Sequence, residues 1–423
     1  MNLHLKKIKL FHRTSSRPFR LVDIQIKDGL IHKIGKDLRT PKGYDVFEAN
    51  GAHASLGWTD IGVQHGEPGF EHREDFDSLQ LAAANGGFTR VITFPNTHPV
   101  VDNKAQIEYI NQHNHTAAVG VQPIGAISKN CDGKELAEMY DMHHAGAIAF
   151  SDGKKAIQSA GLMLRALQYV KSFDGMIVNI PNDHSISTNG QVNEGIISTT
   201  LGIKGIPHLS EELMVHRDIE LATYTDSRIH LANISSAGSV DLIRKAKKKG
   251  LNITASVPIL NLIYDDASLE NFDADYKVWP PLRTKKDIKA LKKGLMDGTI
   301  DAINSNHVPL EDELKKKEFL YASFGATGLE TLFSLGLGLL NDDFALKDLI
   351  EMLAYRSKRA LNLSIVEVEE GSPANLTLFD PKAKWTYKGK QIHSKSKNNP
   401  CINKELVGKV LAIVNNNRLV VNT

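Results

Sequence analysis

Asp60-Ile61-Gly62-Val63-Gln64-His65-Gly66-Glu67-Pro68-Gly69 is the stretch on which the fold and the chemistry of this chain turn. Residues two apart share one face of an extended strand, so Asp60, Gly62, Gln64 and Gly66 look one way and His65 the other. The Asp60 face offers one carboxylate, one amide and two positions without side chains. Glycine gives a metal nothing to bind, and a neutral amide carbonyl is a poor zinc ligand beside imidazole or carboxylate.

Outward from this stretch, strand-like runs alternate with helix-like segments. Val91–Phe94, Ala117–Ile124, Ala147–Phe150, Gly175–Ile180, Arg228–Ile234, Asn252–Val257 and Ala302–Ser305 read as strands. Asp75–Asn85, Leu162–Lys171, Glu211–Ala222, Ser239–Lys249 and Lys285–Asp297 read as amphipathic helices, and Leu346–Tyr355 with Ser357–Leu361 as a final helical pair. Such alternation predicts parallel βα units, about eight of which close an α/β barrel, here over residues 56–365. The ends have a different texture. Leu21–Ile26 and Leu30–Ile34 flank the tight turn Asp28-Gly29, a hairpin signal. Ala374–Phe379, Leu406–Val414 and Leu419–Val421 read as further strands. Residues 1–55 and 366–423 are each too small to bury a core alone, so the expected fold is a (β/α)8 TIM-type barrel with one small β-sandwich domain formed from both termini.

Composition narrows the function classes. A hydrophobic content of 41% with 24% charged residues fits a soluble globular protein with a sizeable core. A net charge of +2 points to neither a nucleic acid nor a membrane as partner. Two cysteines, Cys131 and Cys401, form no CxxC or disulfide framework, which favours a reducing cytoplasm. The N-terminal residues hold no apolar core long enough for a signal peptide, and no run approaches the roughly 18 apolar residues of a membrane helix.

Several further segments stand in a telling order. They are Pro95-Asn96-Thr97 with Pro99 and Asp102, Phe150-Ser151-Asp152-Gly153, Asn193-Glu194-Gly195, Arg217-Asp218, Pro280-Pro281-Leu282-Arg283 and Phe324-Gly325-Ala326-Thr327-Gly328-Leu329-Glu330. With Asp60, Pro68 and Gly69, this series resembles the dihydroorotase and allantoinase branch of the amidohydrolase superfamily. Members of that branch read Asp-x-His-x-His-x-Arg-x-Pro-Gly where this chain reads Asp60 to Gly69. The resemblance implies a cyclic amide hydrolase of pyrimidine biosynthesis, interconverting N-carbamoyl-aspartate and dihydroorotate with zinc at the barrel mouth.

The positions that carry this chemistry in the family are altered here. Gly62 and Gln64 stand for the two zinc-binding His, and Gly66 for the Arg that clamps the substrate carboxylate. Ile180, or Asn179 on a one-residue shift, stands for a third His. Asn233 replaces the ligand of an HxxH pair whose first member, His230, is kept. Asn306 replaces the Asp that is both ligand and proton shuttle, and Leu310 a substrate-contacting His. Trp279 takes the place of a substrate-binding Asn before the PPLR motif. Asp152 is the one residual carboxylate in ligand position. An amide neither ionises nor accepts a proton near neutral pH, and one Asp cannot hold a zinc that needs three or more protein ligands. Metal, base and clamp are absent together, so no zinc or other cofactor is expected.

Plainer roles compete for what remains. Asp60, Asn96, Asp152, His230, Arg283 and His307 form a vestigial pocket, in which Asp60 and His230 read as structural hydrogen-bonders. Arg283 either binds an anion or pairs with a barrel carboxylate. His143-His144 reads as a solvated turn. Two main readings follow. In the first the chain is a catalytically inactive dihydroorotase-like barrel, a homo-oligomer kept as structural partner of aspartate carbamoyltransferase, as the resemblance to inactive members implies. In the second it is an active dihydroorotase with a rebuilt metal site. A third is a binding protein holding a small anion with Asn96 and Arg283.

Overall fold

The computed structural model describes residues 1–13, 15 and 17–422. Trp58–Val63, Phe88–Thr93 and Gly120–Pro123 pair in parallel in that order, and so do Ile177–Asn179, Ile229–Leu231, Ile253–Pro258 and Ala302–Asn304. Phe150 joins the two groups, pairing in parallel with Gly125 on one side and Ile177 on the other. The fourth strand, expected over Ala147–Phe150, is a short ladder about Phe150: the Ile148 N–H donates to Pro123 O at 3.2 Å, the Gly125 N–H to Ala149 O at 3.0 Å and the Phe150 N–H to Met176 O at 3.0 Å. The circle closes where the last strand meets the first. The Gln64 N–H donates to His307 O at 2.8 Å. The Ser305 N–H donates to Asp60 Oδ1 at 2.9 Å, and the Ser305 hydroxyl donates to the other Asp60 oxygen.

The helices form where their end signals predict. Asp75 caps Phe76–Asn85 by accepting from the Ser78 N–H at 2.8 Å, and Ser78 returns a bond to the Asp75 N–H; such a reciprocal cap satisfies two backbone donors that would otherwise be orphaned. Phe76, Leu79, Ala82 and Ala83 then face the strands. The sequence reading missed the helix Lys104–Gln112, which is mostly polar and buries only Ile107 and Ile110. Its available signal was Asn103, whose side chain caps Gln106. The final helical pair is one run, Leu346–Glu351 and Ser357–Ala360 joined through the wider π-helical turn Met352–Arg356. Buried Lys358 fastens this run to the start of the barrel by donating to Gly57 O at 2.6 Å, and holds its own turn by donating to Ala354 O at 2.6 Å.

Both termini enter one eight-stranded sheet. Its path runs Arg418–Val421, Glu405–Asn415, Leu376–Thr386, His53–Leu56, Leu3–Phe11, Phe19–Lys27, Leu30–Gly35, with Asp45–Glu48 also on Leu3–Phe11. The pairing of His53–Leu56 with Leu376–Thr386 is the join between the two ends of the chain. A core of its own, including Leu5, Ile8, Ile24, Ile26, Leu376 and Val414, packs apart from the barrel core. Neither cysteine is in a disulfide, and both are buried. Among the described residues no helix is long and apolar enough to cross a membrane.

Burial raises the Asp60 pKa from 3.8 to about 6, against the opposing pull of its bonds from Ser305. The protonated form therefore favours the fold. That contribution is complete below the unfolded value near 3.8 and is lost as pH rises through about 6. Asp60→Asn keeps an acceptor for Ser305 but cannot titrate. The stability of the parent relative to Asp60→Asn should fall by ~2 kcal/mol between pH 4 and pH 7. Denaturant unfolding across that range checks it; a difference independent of pH would remove Asp60 as the titrating group.

Candidate functional site at the barrel mouth

Four substituted positions converge just past the ends of barrel strands. Gln64, Ile180, Asn233 and Asn306 all line one cavity of about 450 Å³. This is the carboxyl end of the strands, where barrel enzymes build their sites from loops. Strand alternation decides between the two residues open in the sequence. Ile180 faces the cavity, while Asn179 turns to the helix layer and donates to Asp218 Oδ2 at 2.6 Å.

The glycine positions are closed as well as bare. A Cβ on Gly62 would lie 2.7 Å from Phe94 Cε2, and the backbone there has φ +85°. The buried Phe94 ring occupies the space that a side chain at residue 62 would need. At Gly66 a Cβ would sit 2.1 Å from Phe70 O and 2.4 Å from Glu74 O, both backbone atoms. At Gly153, beside Asp152, it would meet Asn96 Oδ1 at 2.0 Å.

A chain of neutral amides spans the floor. Asn304 Nδ2 donates to Asn233 Oδ1 at 2.8 Å and to Ser256 Oγ at 3.1 Å. Asn233 Nδ2 donates to Asn306 Oδ1 at 3.1 Å, and Asn306 Nδ2 donates to Trp279 O at 2.8 Å. Two positions that would each grip a metal instead grip one another. His230 lies beneath, its ring nitrogens 2.9 Å from Thr254 Oγ1 and from Ser256 Oγ. Burial pushes its pKa down to about 3, so it stays neutral.

Several expected pocket residues lie elsewhere. Asp152, the residual ligand candidate, does not line the cavity. Its carboxylate accepts from the Ile127 and Ser128 N–H groups at 2.9 Å each and from the Ser128 hydroxyl. Arg283 is buried and bound to Asn193 Oδ1 at 3.0 Å, Ile206 O at 2.7 Å and Ser235 Oγ at 3.2 Å. Among the described residues it neither lines the cavity nor makes an ion pair within 4.0 Å, so both readings offered for it are corrected: it braces loops. Asn96 lies behind Gln64, donating to Asp152 O at 2.9 Å and accepting from the Lys154 N–H at 3.1 Å. His307 Nδ1 accepts from the Gly328 N–H at 3.2 Å, which leaves Nε2 to donate to buried Glu74 at 3.4 Å. Leu310 is buried against Gly325, outside the cavity lining. His65 points away from the mouth, its ring 5.5 Å from that of Phe76. His143 and His144 end the helix Met139–His144.

Sequence reasoning missed Lys154, Asn182 and Phe324 as cavity residues, and Glu74 as the partner of His307. Lys154 stands two residues past Asp152, a position that could have drawn attention. These residues do not fit zinc. The convergent donors are amides, the nearest carboxylates are capped by backbone N–H groups, and no three His, Cys, Asp or Glu among the described residues gather into a metal-holding group.

The closed glycine positions make a measurable difference. Gly66→Arg has to displace backbone carbonyls and should lower stability by ~3 kcal/mol or more. Gly62→His should be tolerated better with Phe94→Ala than alone, because the second change empties the space the imidazole needs. Thermal melts of the three variants test this. A Gly66→Arg protein that melts with the parent would show that residue 66 is open.

Comparison with known proteins agrees with this geometry in fold and lineage. The chain resembles the solved L-hydantoinase of Arthrobacter aurescens with a TM-score of 0.87 at 21% identity, over 100% of this chain and 96% of that one. A dihydropyrimidinase from Brevibacillus agri gives 0.83 at 18% identity, over 100% and 95%. These likenesses establish the barrel architecture. A family model described as Dihydro-orotase-like matches residues 55–239. The dihydroorotase of Pelotomaculum thermopropionicum is 41% identical over 404 residues, covering 94% of this chain and 93% of that protein. The dihydroorotase of Geotalea daltonii is 39% identical over 389 residues, 92% of each. The chain belongs to the dihydroorotase family.

Proposed function

We propose that this chain is a non-catalytic member of the dihydroorotase family, whose barrel serves binding and assembly in pyrimidine biosynthesis. The observation that carries this reading is the amide chain through Asn233 and Asn306. Ring opening or closure of a cyclic amide in this family draws on a metal-bound hydroxide and a base that moves a proton. An amide supplies neither. A carboxylate clamp at residue 66 is blocked by backbone carbonyl oxygens. The expected partner is aspartate carbamoyltransferase, for which an intact barrel surface would suffice.

A second reading has its own support. Relatives 38–41% identical over most of the chain are named dihydroorotase. Catalysis here would need a donor set different from that at the cavity floor.

Purified protein supplied with zinc should show no interconversion of N-carbamoyl-aspartate and dihydroorotate above background. Asn306→Asp and Gln64→His, singly, should not create it, because groups that act as a unit are strongly non-additive. Zinc-dependent turnover in the unaltered chain would establish the second reading. Size-exclusion chromatography with aspartate carbamoyltransferase should give a co-eluting complex; separate elution would remove the assembly role.

A further inference from the structure

The helices Ala237–Lys248 and Lys285–Met296 pack side by side on the outside of the barrel, so closely that a Cβ on Gly294 would lie 3.1 Å from Val240 Cγ1. Arg244 donates to Asp297 Oδ2 at 3.0 Å and to Asp241, and Lys247 donates to Asp301 Oδ2 at 2.6 Å, which ties the two helix ends together. Six other lysines have no such use. Lys245, Lys248, Lys249, Lys286, Lys289 and Lys293 are exposed, and among the described residues none makes an ion pair within 4.0 Å or a side-chain hydrogen bond. The helix dipole accounts for Lys248 and Lys249, which stand at a carboxyl end. It does not account for the second helix. Lys286 sits in the first turn, where the dipole opposes a cation. Lys289 has Lys286 and Lys293 one turn to either side, and like charges at that spacing weaken a helix. The whole chain is nearly balanced, with 51 Lys and Arg against 49 Asp and Glu, so a basic face here leaves the remainder of the chain with the acidic excess. Among the described residues, Met296 is the one large hydrophobic exposed on these two helices. Between their carboxyl ends lies an open hollow of about 510 Å³, lined by Arg244, Lys247, Lys248 and Lys293 with Asp297, Gly298 and Thr299.

We propose that this face is a docking surface for an acidic helix of a partner protein, held by charge and not by apolar burial. Lys286, Lys289 and Lys293 rise one turn apart, about 5 Å each, which matches carboxylates at three- and four-residue spacing on a facing helix. Lys245, Lys248 and Lys249 form a second row on the neighbouring helix. An acidic helix lying in the trough between the two rows meets lysines on both flanks. The bare lysines, which weaken their own helix when it stands alone, become the source of attraction once carboxylates face them. A nucleic acid would run past this face and against the acidic remainder of the surface. A membrane needs an apolar side to enter, which these helices lack. The inference stands whether or not the barrel mouth is catalytic.

Fluorescence anisotropy on the full chain would use a labelled helical peptide with Glu at three- and four-residue spacing along one face, and a second peptide of the same composition with its Glu spread around the helix. The first should bind at least about tenfold more tightly than the second, with affinity falling as salt rises. Lys248→Glu, Lys289→Glu and Lys293→Glu, combined, should weaken it by at least about tenfold. The same three positions changed to Gln should also lose binding and should melt with the parent, because none of these side chains pairs within the fold. Lys382→Glu, Lys388→Glu and Lys390→Glu, at exposed positions in the C-terminal part, should change binding by less than about twofold. Equal binding of the two peptides, no binding of either, or equal loss in the two Glu triples would overturn the assignment. So would tighter binding of a DNA duplex or of anionic phospholipid vesicles. A lowered melting temperature in the Gln triple would show that the lysines serve the fold, and would overturn it as well.

Discussion

The carboxylate of Asp60 at the seam between the last and first barrel strands is the constraint on which the rest depends. A barrel closes only if its terminal strands find each other across most of the chain, and the closing hydrogen bonds must be made out of water. Asp60 supplies two acceptors there, and Ser305 fills both with its N–H and hydroxyl. Once that seam is set, Gln64 and Asn306 stand across from each other at the mouth. The cavity walls follow from those positions. The residues after strand ends 63, 179, 231 and 304 can only converge on a common space.

What fills that space obeys polar accounting. A buried metal site trades desolvated charges for strong coordination and needs several anionic or imidazole ligands to do so. When such ligands are replaced, the remaining polar groups must still be satisfied. Here Asn304, Asn233 and Asn306 are linked in series and end on the Trp279 carbonyl, with Asn304 Oδ1 the one oxygen of the series left without a partner among the described residues. Phe94 fills the volume beside Gly62, and the turn through Phe70 and Glu74 closes on Gly66. These are packed, paired arrangements that hold together without a cation. Glu74 and His307 form a separate buried pair with Ser394, tying the mouth to the C-terminal segment.

Much of the barrel was legible because two periodicities alternate along the chain, and each needs only local sequence to read. The fourth strand was the exception in extent. Ala147–Phe150 has strand-like residues, yet its ladder is short, because its partners lie near Pro123, Gly125 and Ile177 and no local pattern encodes that register. The helix Lys104–Gln112 hid for the opposite reason: its face is too polar to announce itself, and Asn103 was the only clear cue. At the site, spacing located the altered positions, but spacing says nothing about aim. Asp152 looked like a surviving ligand and turns to cap the Ile127–Ser128 backbone. Arg283 looked like an anion binder and braces Asn193, Ile206 and Ser235.

By itself the sequence determined which chemical groups are available at the mouth: glycines, amides and an isoleucine at positions 62, 64, 66, 180, 233 and 306. No folding of the chain could make those side chains ionise. Tertiary structure alone decided which polar groups remain free. A carboxylate or guanidinium is a site only if its hydrogen-bonding capacity faces a cavity, and that depends on partners distant in the chain. Asp152 and Arg283 found such partners and are spent. Lys154 found none among the described residues and lines the cavity with its charge unpaired.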